Sequence, residues 1–242
     1  MRIWIENIQK GLADTPLCPL CQRGGSLEHI LSSCPKALGD GRYRWRHDQV
    51  LRVIAEVIST GITCSKHQQP ARQNIVFVKA GEKPNQRLKE SGGLFATAKD
   101  WQLEVDLGRQ LKFPGNIAAT TLRPDIVLVS EKTRQVVLLE LTVPWEDRME
   151  EAFERKRAKY EELAGECRSR GWRTRCNPIE VGCRGFVGQS LIRALKMLGV
   201  KGLHIRKATK NITDAAEKAS RWLWIKRGDP WIGQATQTQA RV

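Results

Sequence analysis

The sequence predicts an α/β fold, a mixed sheet flanked by helices with a small metal-stabilised module and a basic helix ahead of it, and three observations predict it. Two short apolar runs, Ile126 to Val129 and Val136 to Leu139, have the length and β-branched content of buried strands. A stretch from Met149 to Cys167 with helical periodicity follows them, and a further strand-like segment surrounds Ile179-Glu180-Val181. Strands followed by a helix and another strand argue for helices packed on a mixed sheet. The third observation is local: Cys18, Cys21, His29 and Cys34 crowd near the N-terminus, in a segment too short to bury a core of its own.

At 242 residues, with 40% apolar content, the chain can bury one substantial core plus a small satellite. Its formal net charge of +15 and pI near 9.8 favour a polyanionic partner, nucleic acid ahead of an acidic membrane surface. No apolar stretch approaches the roughly 20 residues that span a bilayer. The N-terminus lacks a secretory signal with its small-residue cleavage site, which points to a reducing compartment. There, seven cysteines are better explained by ligation or burial than by disulfides.

In order along the chain, the spacing Cys18-x2-Cys21-x7-His29-x4-Cys34 supplies three thiolates and an imidazole, the donor set of a closed tetrahedral zinc site. Four protein ligands leave no open position, so the expected zinc is structural. Gly24-Gly25 gives the turn conformational freedom. From Tyr43 to about Ser59 the pattern turns helical, with Leu51, Ile54, Val57 and Ile58 on one stripe and Arg42, Arg44, Arg46 and Arg52 among the remaining positions. Arg44 and Arg46 are therefore expected to contact nucleic acid. His47 lies near the apolar stripe, and both simple packing and nucleic-acid contact are open to it. Residues 61–74 and 80–93 read as loops or a linker around one short strand, Ile75 to Val78. The expected division is 1–60 for the knuckle and its basic helix, 61–205 for the main domain, and 206–242 for a helical, basic tail.

Within the main domain, Trp101 to Leu107 alternates loosely, ahead of the two buried-type runs. Asp125 opens the first run and Glu140 ends the second. Adjacent strands would then present one carboxylate each on the same face, close enough to share a divalent cation through hard oxygen ligands. Asp106, just before them, is a candidate third ligand. Side-chain alternation puts Thr142 beside Glu140, and threonine supplies no cation there. On the long helix, Met149, Phe153, Tyr160, Ala164 and Cys167 define an apolar stripe with Lys156 in its middle. A buried ammonium needs a paired charge, so Lys156 is expected to reach Asp125 and Glu140, with Lys159 at the stripe's edge as a second or alternative cation. Arg155 and Arg157 read as solvated surface.

Later features are less specific. Gly182-Cys183-Arg184-Gly185 is a glycine turn that could let backbone and Arg184 approach phosphate. Cys64, Cys167, Cys176 and Cys183 show no closed metal spacing and are expected to be buried free thiols. Trp222, Trp224 and Trp231 stand among basic residues, suited to base stacking or to capping the core.

On these residues the chain resembles the C-terminal part of site-specific non-LTR retrotransposon proteins of the restriction-like-endonuclease class. The match runs over roughly residues 18 to 200. It begins with the CCHC knuckle and Arg46-His47-Asp48, and continues through Arg123-Pro124-Asp125, Glu140-Leu141-Thr142 and Lys156 with Lys159-Tyr160. The resemblance implies a PD-(D/E)XK core whose catalytic lysine has moved from the strand to the following helix. It implies a Mg²⁺- or Mn²⁺-dependent enzyme that nicks one DNA strand in the nucleus, the released 3′ hydroxyl priming reverse transcription of element RNA. No polymerase precedes the knuckle, so a reverse transcriptase would come from another chain, and the expected status is a fragment, a separate gene product or a domesticated remnant. A second class stays open: a zinc-knuckle nucleic-acid-binding protein that keeps the nuclease fold without its chemistry.

Overall fold

The computed structural model describes residues 16–67 and 93–231. The segment expected to form a strand at Ile75 to Val78, with most of its flanking loops, lies outside the described residues. A π turn at His29–Ser33 and a short helix α1 (Pro35–Gly39) lead into α2 (Arg42–His67). After a 3₁₀ turn at Leu94–Thr97 come β1 (Gln102–Val105), β2 (Ile126–Ser130), β3 (Gln135–Thr142), α3 (Met149–Ser169), β4 (Arg173–Glu180), α4 (Gln189–Leu198) and α5 (Leu203–Ile225).

The sheet runs in sequence order, β1-β2-β3-β4, with the first two pairings antiparallel and β3 parallel to β4. It is the expected mixed α/β arrangement. β2 and β3 are buried at every position, as strands covered on both faces must be. Alternation then divides their side chains between two cores. Ile126, Leu128, Val137, Leu139 and Leu141 pack with α2, α4 and α5, while Val127, Val129, Val136 and Leu138 pack under α3 with Tyr160, Leu163 and Cys167.

The helix expected to stop near Ser59 continues to His67, since Ile58 and Ile62 carry its apolar stripe one turn farther into the core. Polar residues 61–67 read as loop because only their inner face is apolar. α2 and α5 pack on each other and share the core on one face of the sheet. Arg42 ties their ends, its guanidinium donating to Lys226 O and Asp229 O at 2.8 Å each. The knuckle adds a third cluster, in which Cys18, Ile30, Leu31 and Cys34 pack with Cys183 and Leu223, flanked by Trp145, Trp224 and Trp231. Two of the three C-terminal tryptophans thus cap the core; Trp222 is exposed. Cys167 and Cys183 are buried as expected, Cys176 is half-buried, and Cys64 is exposed on the outer face of the extended α2.

Candidate metal centre and acidic cleft

Cys18, Cys21, His29 and Cys34 converge so that one ligand atom from each lies within 4.8 Å of the others. Cys18 Sγ and Cys34 Sγ are 3.8 Å apart, and Cys21 Sγ is 3.1 Å from His29 Nε2. With Zn–S near 2.3 Å, the sulfur–sulfur edge of a tetrahedron is about 3.8 Å, so Cys18 and Cys34 stand at the spacing zinc would impose and the other two donors lie within reach of the same ion. Donor chemistry and geometry both fit a zinc ion. Burial pushes the Cys34 thiol up to about 11 in the metal-free chain, a penalty that a bound cation reverses by holding the thiolate.

The second centre follows from register. Val105 pairs with Ile126 and Ile126 with Leu139, so the next positions, Asp106, Asp125 and Glu140, form a row across three strands. Asp125 and Glu140 fall on the α3 face together, as alternation requires. Backbone amides hold them: Leu141 N–H donates to Asp125 Oδ2 at 2.8 Å and Asp125 N–H to Glu140 Oε2 at 3.2 Å. Asp106 Oδ1 accepts Leu111 N–H at 2.9 Å. All three acids are buried and all line one cleft of about 750 Å³.

Lys156 meets this row as its helical phase dictates. Nζ is 2.5 Å from Glu140 Oε1, and Lys159 Nζ is 3.7 Å from the same oxygen. Tyr160, one turn on, donates to Arg123 O at 2.9 Å, fixing α3 over the start of β2. Burial and the Glu140 charge push the Tyr160 phenol far up, so it stays a neutral donor.

Lys156 reaches Glu140; the partner of Asp125 comes from elsewhere. His47 Nε2 lies 3.2 Å from Asp125 Oδ2, and its Nδ1 lies 3.0 Å from Asp48 Oδ1. Burial opposes the charged ring, but the two carboxylates outweigh it and raise its pKa to about 9, so the imidazolium persists at neutral pH. His47 therefore belongs to the acidic row, paired with Asp125 and Asp48 at the wall of the cleft. Arg44 bridges Asp48 at 2.9 Å and Asp106 at 3.2 Å while half of its side chain faces the cleft. Asp48, buried beneath both, enters the sequence reading only within the Arg46-His47-Asp48 motif, although its (i, i+4) spacing to Arg44 is itself a readable pair.

Arg46 overturns an expectation. It is 2% exposed, and its guanidinium donates to Leu31 O at 2.7 Å and Val143 O at 2.9 Å. A group so enclosed cannot meet a phosphate; a basic residue beside an apolar stripe looked solvated because its acceptors lie far off in sequence. Arg155 is exposed, as expected, and stands on the wall of the cleft with Arg123 and Arg148. Arg184 is half exposed and lies over the Trp145 ring at 4.3 Å, but its N–H and Nε both donate to Glu146 at 2.7 Å. A Cβ at Gly182 would stand 2.6 Å from that carboxylate, so this glycine admits Glu146 and not phosphate.

Thr142 Oγ1, at the cleft floor, is buried with no hydrogen-bond partner among the described residues. Asp106, Asp125 and Glu140 do not form a ligand cluster as tight as the cysteine site among the described residues. Each is instead engaged by a cation: Arg44, His47 and Lys156 respectively. Such a cleft offers oxygen donors at its floor and positive charge on its walls, the combination that attracts a phosphate and a hard cation together. No protein-family model matches the chain, and no curated protein matches its sequence.

Proposed function

We propose that the chain is a divalent-metal-dependent endonuclease that nicks a phosphodiester bond in DNA, with a PD-(D/E)XK-type core related to those of non-LTR retrotransposon proteins. One observation carries it: Lys156 Nζ stands 2.5 Å from Glu140, whose cross-strand neighbour is Asp125, on the floor of a cleft walled by arginines. A lysine and two carboxylates at adjoining strand ends, facing a basic cleft, are the parts phosphodiester hydrolysis requires.

Asp125 and Glu140 offer the oxygens that would hold Mg²⁺ or Mn²⁺, with Asp106 as the third member of the row. Such a cation, when bound, lowers the pKa of a coordinated water and offsets charge developing on the phosphate. Lys156 places a point charge where the non-bridging phosphate oxygens would lie, and Lys159 supports it. Arg123, Arg148 and Arg155 bind the flanking backbone, and His47 and Arg44 fix the acids. Water adds to phosphorus as the bond to the 3′ oxygen breaks, leaving a 3′ hydroxyl and a 5′ phosphate. Element RNA and a reverse transcriptase from another chain, in the nucleus, are the partners this reading implies.

The second reading, a zinc-knuckle nucleic-acid-binding protein without catalysis, is favoured by the cations that already occupy each acid. Nicking of supercoiled plasmid in Mg²⁺ against EDTA separates the two. The nuclease reading expects Asp125→Asn and Glu140→Gln to abolish nicking while DNA retention in gels changes less than about threefold. Retention without metal-dependent nicking by the unaltered chain would establish the binder.

A further inference from the structure

We infer that the zinc knuckle sets the geometry of the acidic cleft, and that Tyr43 and Arg46 are the positioning residues through which it does so. The inference rests on the zinc reading of the cysteine cluster, and on the nuclease reading only for its activity arm.

His29 and Cys34, two of the four zinc donors, bracket the π turn His29–Ser33. Fixing both ends of a turn fixes the carbonyls between them. Those carbonyls are what the first turn of α2 grips. Tyr43 OH accepts the N–H of Cys34 at 2.9 Å and donates to Ile30 O at 2.9 Å. Arg46, three residues on and therefore on the same side of the helix, donates to Leu31 O at 2.7 Å and lies over the Tyr43 ring at 5.3 Å.

The other branch of the Arg46 fork reaches the sheet. Its second nitrogen donates to Val143 O at 2.9 Å, directly after Thr142 at the end of the strand that carries Glu140. One planar guanidinium thus clamps the knuckle backbone to the end of β3. His47 is the next residue, so its reach to Asp125 at 3.2 Å is set by where that clamp holds the helix. Arg44, in the same turn, holds Asp106. The first turn and a half of α2 therefore contacts the zinc loop on one side and two of the three acids on the other.

Burial shows why a simple packing role is insufficient. An enclosed guanidinium carries a desolvation cost that a hydrophobic side chain of similar volume avoids. Arg46 recovers that cost only if both distant carbonyls stay in place, and its Nε has no partner at all among the described residues. Only a rigid planar fork spans the two acceptors; the single ammonium of lysine cannot. Withdrawal of zinc would release the turn, remove the Leu31 carbonyl from Arg46 and let α2 shift. His47 would then leave Asp125 before any sheet residue had unfolded.

The test uses the full chain with ¹⁵N-labelled histidine, of which the sequence has four, and reads the imidazole resonances of His47, assigned by their loss in His47→Gln. Zinc content is measured in parallel by its release on blocking the cysteine thiolates with a mercurial, and secondary structure by circular dichroism. In Arg46→Lys and in the milder Tyr43→Phe, zinc content and helix signal are expected to match the parent while the His47 resonances move toward those of a free imidazole. Chelating zinc from the unaltered chain should move them the same way. In the activity arm, kcat for nicking should fall on the order of 10- to 100-fold with KM nearly unchanged, the signature of misplacement rather than lost binding. His47 resonances that hold their parental positions in both variants, or that ignore zinc removal, would overturn the linkage. Should Arg46→Lys fail to fold, Tyr43→Phe alone decides. A parent chain that never nicks DNA, yet whose His47 follows zinc, refutes the nuclease and leaves the linkage standing.

Discussion

Replacing Lys156 by methionine keeps most of the aliphatic length and removes the charge beside Glu140. The Glu140 side chain is 4% exposed and that of Lys156 20%, so the pair is screened on one side only. Removing one partner of a fully buried pair costs about 3–5 kcal/mol. Here Lys159 remains, and its Nζ at 3.7 Å, against 2.5 Å for Lys156, by distance alone keeps about two-fifths of the attraction that the two cations exert together. Asp125 N–H also stays on the other oxygen. The expected loss is therefore about 2–3 kcal/mol, or roughly 4–12 °C in melting temperature for a chain of this size. Lys156→Met combined with Lys159→Met should approach the full 3–5 kcal/mol. Adding Glu140→Gln to that double variant should restore most of it, because an amide needs no counter-charge. Urea unfolding with unchanged slope measures each step. Equal midpoints for the parent and the double lysine variant would refute the reasoning, since a buried carboxylate cannot lose both cations without consequence.

Two further outcomes follow from groups outside the cleft. Glu180 is buried, which raises its pKa, and among the described residues only one of its oxygens is bonded, accepting from Ser190 Oγ. The native chain then holds this proton more tightly than the unfolded one, so its contribution to stability falls as pH rises from the ordinary glutamate range through the raised native value. Glu180→Gln should melt higher than the parent at pH 8, the gap narrowing toward pH 5; a lower melting point at pH 8 would contradict this. Gly93 has φ +67°, and a Cβ there would lie 2.3 Å from Gly199 Cα, a backbone atom that cannot swing away. Gly93→Ala should cost about 2–4 kcal/mol in urea unfolding, and a loss under 0.5 kcal/mol would show that these segments are not packed as described.

Short-range features of this chain were readable. β2 and β3 announce themselves by unbroken apolar runs, and their register follows once both faces must be buried. The zinc donors lie within one short segment, so spacing alone brings them together. Lys156 was legible because helical phase is a local rule: Tyr160, Leu163 and Cys167 define the buried face, and a lysine on it must find an acid. The end of α2 was harder. Beyond Ser59 its sequence is polar on three sides, and the contacts of Ile62 with the core and of Ser65 with Phe95 O hold its inner face in place.

What the sequence hid has one cause, which is that charge alone does not say where a side chain ends. Arg44, Arg46 and Arg52 look alike in a basic helix. One bridges two carboxylates, one is sealed between two carbonyls, and one pairs with Gln49 at the surface. Their fates depend on Leu31, Asp106 and Val143, none of which a helical pattern can place beside them. The same holds for His47, whose partner Asp125 is 78 residues away in sequence. Its position four residues before Leu51 put it near the apolar stripe, but only the sheet shows that the stripe ends at a carboxylate. A net charge of +15 therefore overstates the free basic surface: several of the cations that suggested nucleic acid are spent holding acids and carbonyls inside. Those left on the cleft wall, Arg123, Arg155 and the exposed side of Lys159, with Arg148 paired to Glu28 at its edge, are fewer and gathered around one floor. Concentrated around buried carboxylates, they favour a ligand that is a single phosphate backbone entering the cleft over one spread across the protein surface.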